Sequence, residues 1–231
     1  MHTRLNNYGL VLFDFDGTFA DTARDMINAL NRLRQIHGKP PLLFDDLQGH
    51  VSDGTPALIR IGFGFSPGDD EYEAYRQQFL QIYKSNLCGF TDIYPGIGDL
   101  LERFRLEKTA WGIVTNKPEG LTIEIMEKLG LLKDACVIIG GDSLPQRKPH
   151  PLPILHACDV AGVDPRCAVF IGDSVRDILA GQRAGTDTIA VTYGYIPPGD
   201  DPSQWKADHV VDTVDEITDI LWSTPFQRES G

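Results

Sequence analysis

The chain has 231 residues, 42% apolar and 23% charged, enough for one large domain or for a core with a smaller inserted domain. A formal charge of −12 opposes binding to nucleic acid or anionic lipid, because the dominant electrostatic term would be repulsive; the expected partner is a small molecule, and the expected assembly a monomer or homodimer. No apolar run approaches the ~18 residues of a membrane span, and the opening MHTRLNNYG lacks the apolar core of a secretory signal, which gives a cytoplasmic expectation.

In chain order, the first element is a strand over residues 10–13, apolar β-formers that run into the polar pair Asp14 and Asp16 and then Gly17 and Thr18. Thr22 with Asp25 three residues on predicts a capping box. The helix that follows carries Met26, Ile27, Leu30 and Leu33 as its apolar stripe and should stop near Gly38, ahead of Pro40 and Pro41. Residues 42–64 predict two short helices interrupted at Ser52-Asp53-Gly54. Residues 69–87 predict a longer one with Tyr72, Tyr75, Phe79, Ile82 and Tyr83 on one face. No strand signal falls between about residues 20 and 90, so this block reads as a helical insertion.

From Tyr94-Pro95-Gly96 the pattern becomes regular alternation. Helices are predicted over 96–107, 118–129, 151–161 and 174–184, with strands over 110–114, 136–139, 168–171 and 188–191. A short strand over 209–211 and a helix ending near Trp222 close the pattern, and the last eight residues read as a frayed tail. Alternating strands and helices imply an α/β fold with a parallel sheet covered on both faces. The four cysteines, Cys88, Cys136, Cys158 and Cys167, show no CxxC spacing and stand mostly beside apolar residues, so they are expected to be buried free thiols.

In such sheets ligands bind beyond the carboxyl ends of the strands, and the residues there are chemically coherent. Asp14 and Asp16, two apart on an extended backbone, address one side together. Two close carboxylates repel unless a cation or proton intervenes. Gly17 lets the chain turn and offer N–H groups to an anion. The second strand of the chain ends at Thr115-Asn116-Lys117, where a hydroxyl and a lysine suit phosphate oxygens. Another strand ends at Gly172-Asp173-Ser174, whose carboxylate suits a hard cation such as Mg²⁺. Lys148 opens a helix on the same side. Each has a plainer reading: Asp177 as the reciprocal member of a Ser174 capping box, Thr115 and Asn116 as helix caps, Lys148 as a surface charge. A calcium loop starting at Asp14 does not fit, since that loop needs glycine where Phe19 stands and a helix rather than a strand before it.

The stretches LFDFDGTFADT, VTNKP, RKPHP and IGDSVRDILAG resemble, in order and separation, the four motifs of the haloacid dehalogenase superfamily of phosphatases. The helical block resembles the small cap of its phosphoglycolate phosphatase branch, and YGYIPPGDDPSQWKADHVV resembles a bacterial subgroup that includes N-acetylmuramic acid 6-phosphate phosphatases. The resemblance implies a Rossmann-like core formed by residues 1–18 and 92–231, with an all-helical cap over 19–91 hinged at Phe19 to Thr22. It also implies a Mg²⁺-dependent phosphomonoester hydrolase in which Asp14 is the nucleophile and Asp16 the general acid and base. Asp14, Asp173 and the Asp16 carbonyl would hold Mg²⁺ with help from Asp177. Thr115 and Lys148 would bind the transferring phosphoryl group, with N–H groups near Gly17, Thr18 and Asn116, and His50 and Arg60 are substrate candidates from the cap. The implied substrate is a small phosphorylated metabolite, 2-phosphoglycolate first, with N-acetylmuramic acid 6-phosphate as the alternative. A sugar phosphomutase shares the same motifs, and a phosphometabolite-binding protein without catalysis is the competing class. An aspartate at position 16 favours phosphate esters over carbon–halogen bonds, and the absence of lysine there sets the chain apart from the ATPase branch.

Overall fold

A computed structural model describes residues 8–222; the predicted terminal tail lies outside them. Its centre is strand β1, Leu10–Phe13, whose four side chains are all inaccessible to solvent. Successive residues of a strand face opposite ways. Val11 and Phe13 accordingly enter one core cluster with Trp111 and Val169, while Leu10 and Leu12 enter another with Val114 and Phe170. Burial on both faces is what makes this strand continuously apolar rather than alternating.

Between β1 and the alternating region lie β2 (Ala20–Asp21), α1 (Ala23–Ile36), α2 (Gly54–Phe63), α3 (Tyr72–Ser85) and β3 (Asp92–Ile93). The apolar stripe of α1 is buried as predicted, and Tyr72, Phe79 and Tyr83 bury the inner face of α3. Helices α1 and α2 touch closely: a Cβ on Gly62 would lie 2.7 Å from Leu30. The two-residue strands β2 and β3 pair antiparallel, Ala20 with Ile93 and Asp21 with Asp92, at the two ends of the helical block. So short a ribbon carries too little periodicity to be read from sequence.

The remaining elements are α4 (Ile97–Glu107), β4 (Ala110–Val114), α5 (Glu119–Lys128), β5 (Val137–Ile139), α6 (Leu152–Ala161), β6 (Ala168–Gly172), α7 (Val175–Ala184), β7 (Asp187–Val191), β8 (His209–Val211) and α8 (Val214–Trp222). Six strands form one parallel sheet in the order β5-β4-β1-β6-β7-β8. Because β1 has β4 on one side and β6 on the other, the direction of winding reverses there. A ligand crevice is expected at the carboxyl end of such a strand.

Two local expectations fail. Thr22 does not cap α1 through its side chain. Its hydroxyl donates to Asp16 Oδ1 at 2.5 Å instead. Asp25, the expected reciprocal partner, is buried and accepts hydrogen bonds from the N–H groups of Phe90 and Thr91 and from the Thr91 hydroxyl at 2.7–3.1 Å. It ties the start of α1 to the segment that returns to β3. The four thiols are free as expected, but only Cys158 is buried; Cys136 and Cys167 are exposed and Cys88 is intermediate. Neighbouring apolar residues in sequence do not fix which way a loop side chain points.

Candidate active site

The end of β1 delivers Asp14, whose N–H continues the ladder to the Ile171 carbonyl at 2.8 Å. The end of β6 delivers Asp173, and the first turn of α7 delivers Asp177. One carboxylate oxygen of each lies within 4.8 Å of the other two, and all three residues are buried. Lys148 enters between them, its Nζ 2.8 Å from Asp14 Oδ1 and 2.7 Å from Asp177 Oδ1. Burial lowers the affinity of the Lys148 ammonium for its proton, but the Asp14 and Asp177 charges more than reverse this and the net shift is upward.

One ammonium does not neutralise three carboxylates. Burial, then repulsion from Asp14 and Asp177, pushes the Asp173 carboxyl well above its ordinary range, against hydrogen bonds from Ser52 and the Tyr195 N–H. Asp177 is also raised, by burial and by Asp14, with Lys148 pulling the other way. Asp173 Oδ2 accepts those two bonds at 2.6 and 2.8 Å. Its Oδ1 is buried with no hydrogen-bond partner among the described residues. A buried cluster of three carboxylates with an orphaned carboxylate oxygen fits a small hard divalent cation.

Gly17 has φ +87°, and a Cβ there would fall 2.0 Å from Asp173 Oδ2. The residue must be glycine both for its backbone conformation and for that close approach. Its N–H closes a turn onto the Ala20 carbonyl at 3.0 Å, so this group is committed inward rather than presented to an anion. Thr18 is fully buried with an unpartnered hydroxyl, and its carbonyl accepts from Tyr193.

Asp16 leaves β1 on the same side as Asp14, but its carboxylate faces the helical block. Besides the Thr22 hydroxyl it meets Lys117 Nζ at 3.0 and 3.3 Å. Lys117 also stands 3.0 Å from the Tyr83 hydroxyl of α3. Burial opposes the Lys117 charge, yet Asp16 and Tyr83 raise its pKa overall. The Tyr83 phenol is pushed up to about 12, chiefly by burial. Lys117 therefore holds Asp16, a role that the alternation Thr115-Asn116-Lys117 did not reveal. Thr115 lines the cavity, accepting the Lys117 N–H at 3.2 Å. Asn116 Nδ2 donates to the Lys148 carbonyl at 3.0 Å and so braces the loop that carries Lys148.

The loop before α2 reaches the cluster as well. Ser52 Oγ bonds Asp173 and lies 3.5 Å from the Asp16 carbonyl. Arg176 of α7 fixes this loop through Asp53 Oδ1 at 2.5 Å and the Ser52 carbonyl at 2.8 Å. Asp177 does serve as the reciprocal cap of α7, accepting from Ser174 N and Oγ at 3.1 and 2.9 Å, while its other oxygen meets Lys148. Asp177 thus caps α7 and also stands in the acidic cluster.

Asp14, Asp16, Thr115, Asn116 and Lys148 open together onto a cavity of about 530 Å³, roofed by the Ser52 loop and by α3. His50 and Arg60 are not among its lining. His50 is 3.9 Å from Asp53 on the short turn preceding α2, and Arg60 is exposed in the last turn of that helix. Basic residues in a helical insertion give no sequence signal for which face turns inward. Ser52, Tyr83, Arg147 and Arg176 occupy the positions that such reasoning left unassigned, and Lys117, read as a phosphate-oxygen ligand, is instead paired with Asp16. Among the described residues no helix is long and apolar enough to cross a membrane.

A family model described as haloacid dehalogenase-like hydrolase matches residues 11–191. The N-acetylmuramic acid 6-phosphate phosphatase of Pseudomonas aeruginosa is 42% identical over 211 residues, covering 91% of this chain and 93% of that protein. A phosphoglycolate phosphatase of Xanthomonas campestris pv. campestris is 38% identical over 216 residues, covering 93% and 97%. Among solved structures, a predicted phosphoglycolate phosphatase from Haemophilus somnus superposes with a TM-score of 0.83 at 27% identity, covering 95% of this chain and 99% of that one.

Proposed function

Since the chain belongs to the haloacid dehalogenase-like hydrolase family, we propose that it is a Mg²⁺-dependent phosphomonoester hydrolase working through an aspartyl phosphate on Asp14. The observation that carries this reading is the buried set Asp14, Asp173 and Asp177 with Lys148 among them, at the carboxyl edge of β1 and β6.

Asp14 is the nucleophile, and its pairing with Lys148 keeps it oriented. Covalent catalysis then divides one displacement into two. Asp16 donates a proton to the leaving alcohol and afterwards removes one from the hydrolytic water. The Thr22 hydroxyl and Lys117 hold its carboxylate in place between these steps. Thr115 and Lys148 meet the equatorial oxygens of the transferring group, where fixed donors are worth most. Asp14, Asp173 and the Asp16 carbonyl would hold Mg²⁺, with Asp177 orienting Lys148. When bound, the ion supplies neutralisation of phosphoryl charge.

Residues 19–91 act as a cap on a core made of 1–18 and 92–231. Support for this division comes from the β2–β3 ribbon and the Asp25–Thr91 bonds at the joint, and from Ser52 and Tyr83, which reach from the block to Asp173 and to Lys117. The relatives named above carry the names of two substrates, 2-phosphoglycolate and N-acetylmuramic acid 6-phosphate. Both combine a phosphate ester with a carboxylate, and that is the substrate class proposed here. Hydrolysis of p-nitrophenyl phosphate and of both compounds is expected with Mg²⁺, and is expected to vanish with EDTA and in Asp14→Asn. Turnover that survives chelation, or an Asp14→Asn variant as active as the parent, would contradict the reading. Net isomerisation of a sugar phosphate with little free phosphate would mark a mutase instead.

A further inference from the structure

The chain carries 33 acidic and 21 basic residues, yet the cavity lining inverts this balance, with five cations against four carboxylates. At the reaction centre Lys148 is matched to Asp14 and Lys117 to Asp16. In the roof Arg176 is matched to Asp53 and Arg76 to Glu73, at 2.5 and 2.9 Å. Arg147 is the fifth, and among the described residues it has no ion pair. It is exposed, on the core wall immediately before Lys148, and faces a cavity that also holds Tyr72 and Arg76 of α3. The Tyr72 phenol is pushed up by burial and by Glu73 and pulled back by the charges of Arg76 and Arg147.

A cation left over in a lining where every other charge is matched asks for an anion from outside. The transferring phosphoryl group is already served by Lys148 and the cluster around Asp14, which leaves a second anionic group on the substrate. Cavity size bears on how large a group carries the two anions. Even at the ~30 Å³ that a liquid water occupies, the roughly nine non-hydrogen atoms of a phosphorylated two-carbon acid fill only about half of 530 Å³. Cavities of this size suit ligands of several hundred Å³. The lining also includes Leu80, Pro118, Leu121 and the Tyr72 ring, which suit the C–H faces of a sugar.

Resting on the phosphatase reading above, we propose that Arg147 is a specificity-determining residue: it reads a carboxylate that the substrate carries across the width of a sugar ring from the phosphate being transferred. The matched probes are N-acetylmuramic acid 6-phosphate, which has such a carboxylate, and N-acetylglucosamine 6-phosphate, which lacks it. The ratio of their kcat/KM values isolates the carboxylate. In the parent enzyme the ratio is expected to favour the acid, and in Arg147→Ala it should fall by about tenfold to a hundredfold, the worth of one charge-assisted hydrogen bond. Arg147→Lys should restore part of it, since a point charge remains but the planar fork is gone. Calorimetric binding of the same two compounds to Asp14→Asn, with and without Arg147→Ala, reads the contact without turnover. A parent ratio near one, or a ratio and a binding difference indifferent to Arg147→Ala, overturns the proposal. An enzyme that hydrolyses no phosphate ester, p-nitrophenyl phosphate included, but still loses preference for the acid in the binding experiment would keep the Arg147 contact and refute only the phosphatase reading.

Discussion

Replacing Asp173 with asparagine should make the metal-free protein more stable while removing its response to Mg²⁺. The carboxylate is fully buried and within 4.8 Å of two others. At an effective dielectric of about 20, two unit charges at 4.8 Å repel by roughly 3.5 kcal/mol. Lys148 offsets part of this for Asp14 and Asp177, so a net relief of about 2 kcal/mol is a fair expectation. The amide oxygen can still accept from Ser52 and the Tyr195 N–H, which preserves the local geometry. For a chain of this length about 2 kcal/mol corresponds to a rise in Tm of roughly 4–8 °C.

The sign with pH follows from linkage. A carboxyl whose native pKa is raised binds its proton more tightly when folded. Metal-free stability should therefore fall as pH climbs above the ordinary carboxylate value of about 4 towards the native one, and Asp173→Asn should flatten that fall. Mg²⁺ should reverse the order, because a ligand bound only by the native state adds about 2.7 kcal/mol at a hundred times its Kd. The assay is thermal unfolding of both proteins in EDTA and in a Mg²⁺ titration across pH. A lower Tm for Asp173→Asn in EDTA, or equal protection of both by Mg²⁺, would refute the argument.

Lys148→Met leaves three carboxylates without their ammonium, and is expected to cost about 10²–10³ in kcat and to lower the stability measured by urea unfolding in EDTA by the ~3–5 kcal/mol typical of a broken buried pair. Gly17→Ala drives a methyl onto Asp173 Oδ2 from a backbone at φ +87°; Mg²⁺ affinity by calorimetry should drop with stability, by about 1–2 kcal/mol from the backbone alone. Thr22→Val keeps the shape but deletes the hydroxyl that donates to Asp16, so kcat should fall by about tenfold to a hundredfold with KM little changed.

The core was legible because its signals are local and redundant. Each parallel strand announces itself as an apolar run, and three of the runs end on residues of the proposed site, so that Asp14, Thr115 and Asp173 were marked by position as well as by type. The helical block was legible only as helices. Its contributions come from Ser52 and Tyr83, a loop hydroxyl and a residue on an apolar face, and what turns them towards the carboxylates is tertiary packing. Thr22 and Asp25 show the same limit. Their spacing satisfies a capping box, but burial beside Asp16 and beside the returning chain at Thr91 gave both side chains stronger partners. His50 and Arg60 carried the charge expected of substrate ligands, whereas Arg147, adjacent to a residue already singled out, faces the cavity.

The central claim is that phosphorus is transferred to Asp14. Rapid acid quenching of the enzyme during turnover of p-nitrophenyl phosphate with Mg²⁺, followed by peptide mass spectrometry, tests it directly. The account predicts one added phosphoryl group on the peptide that contains Asp14, lost at neutral pH and absent from Asp14→Asn. A phosphorylated residue elsewhere, or steady turnover with Asp14 never modified, would contradict it.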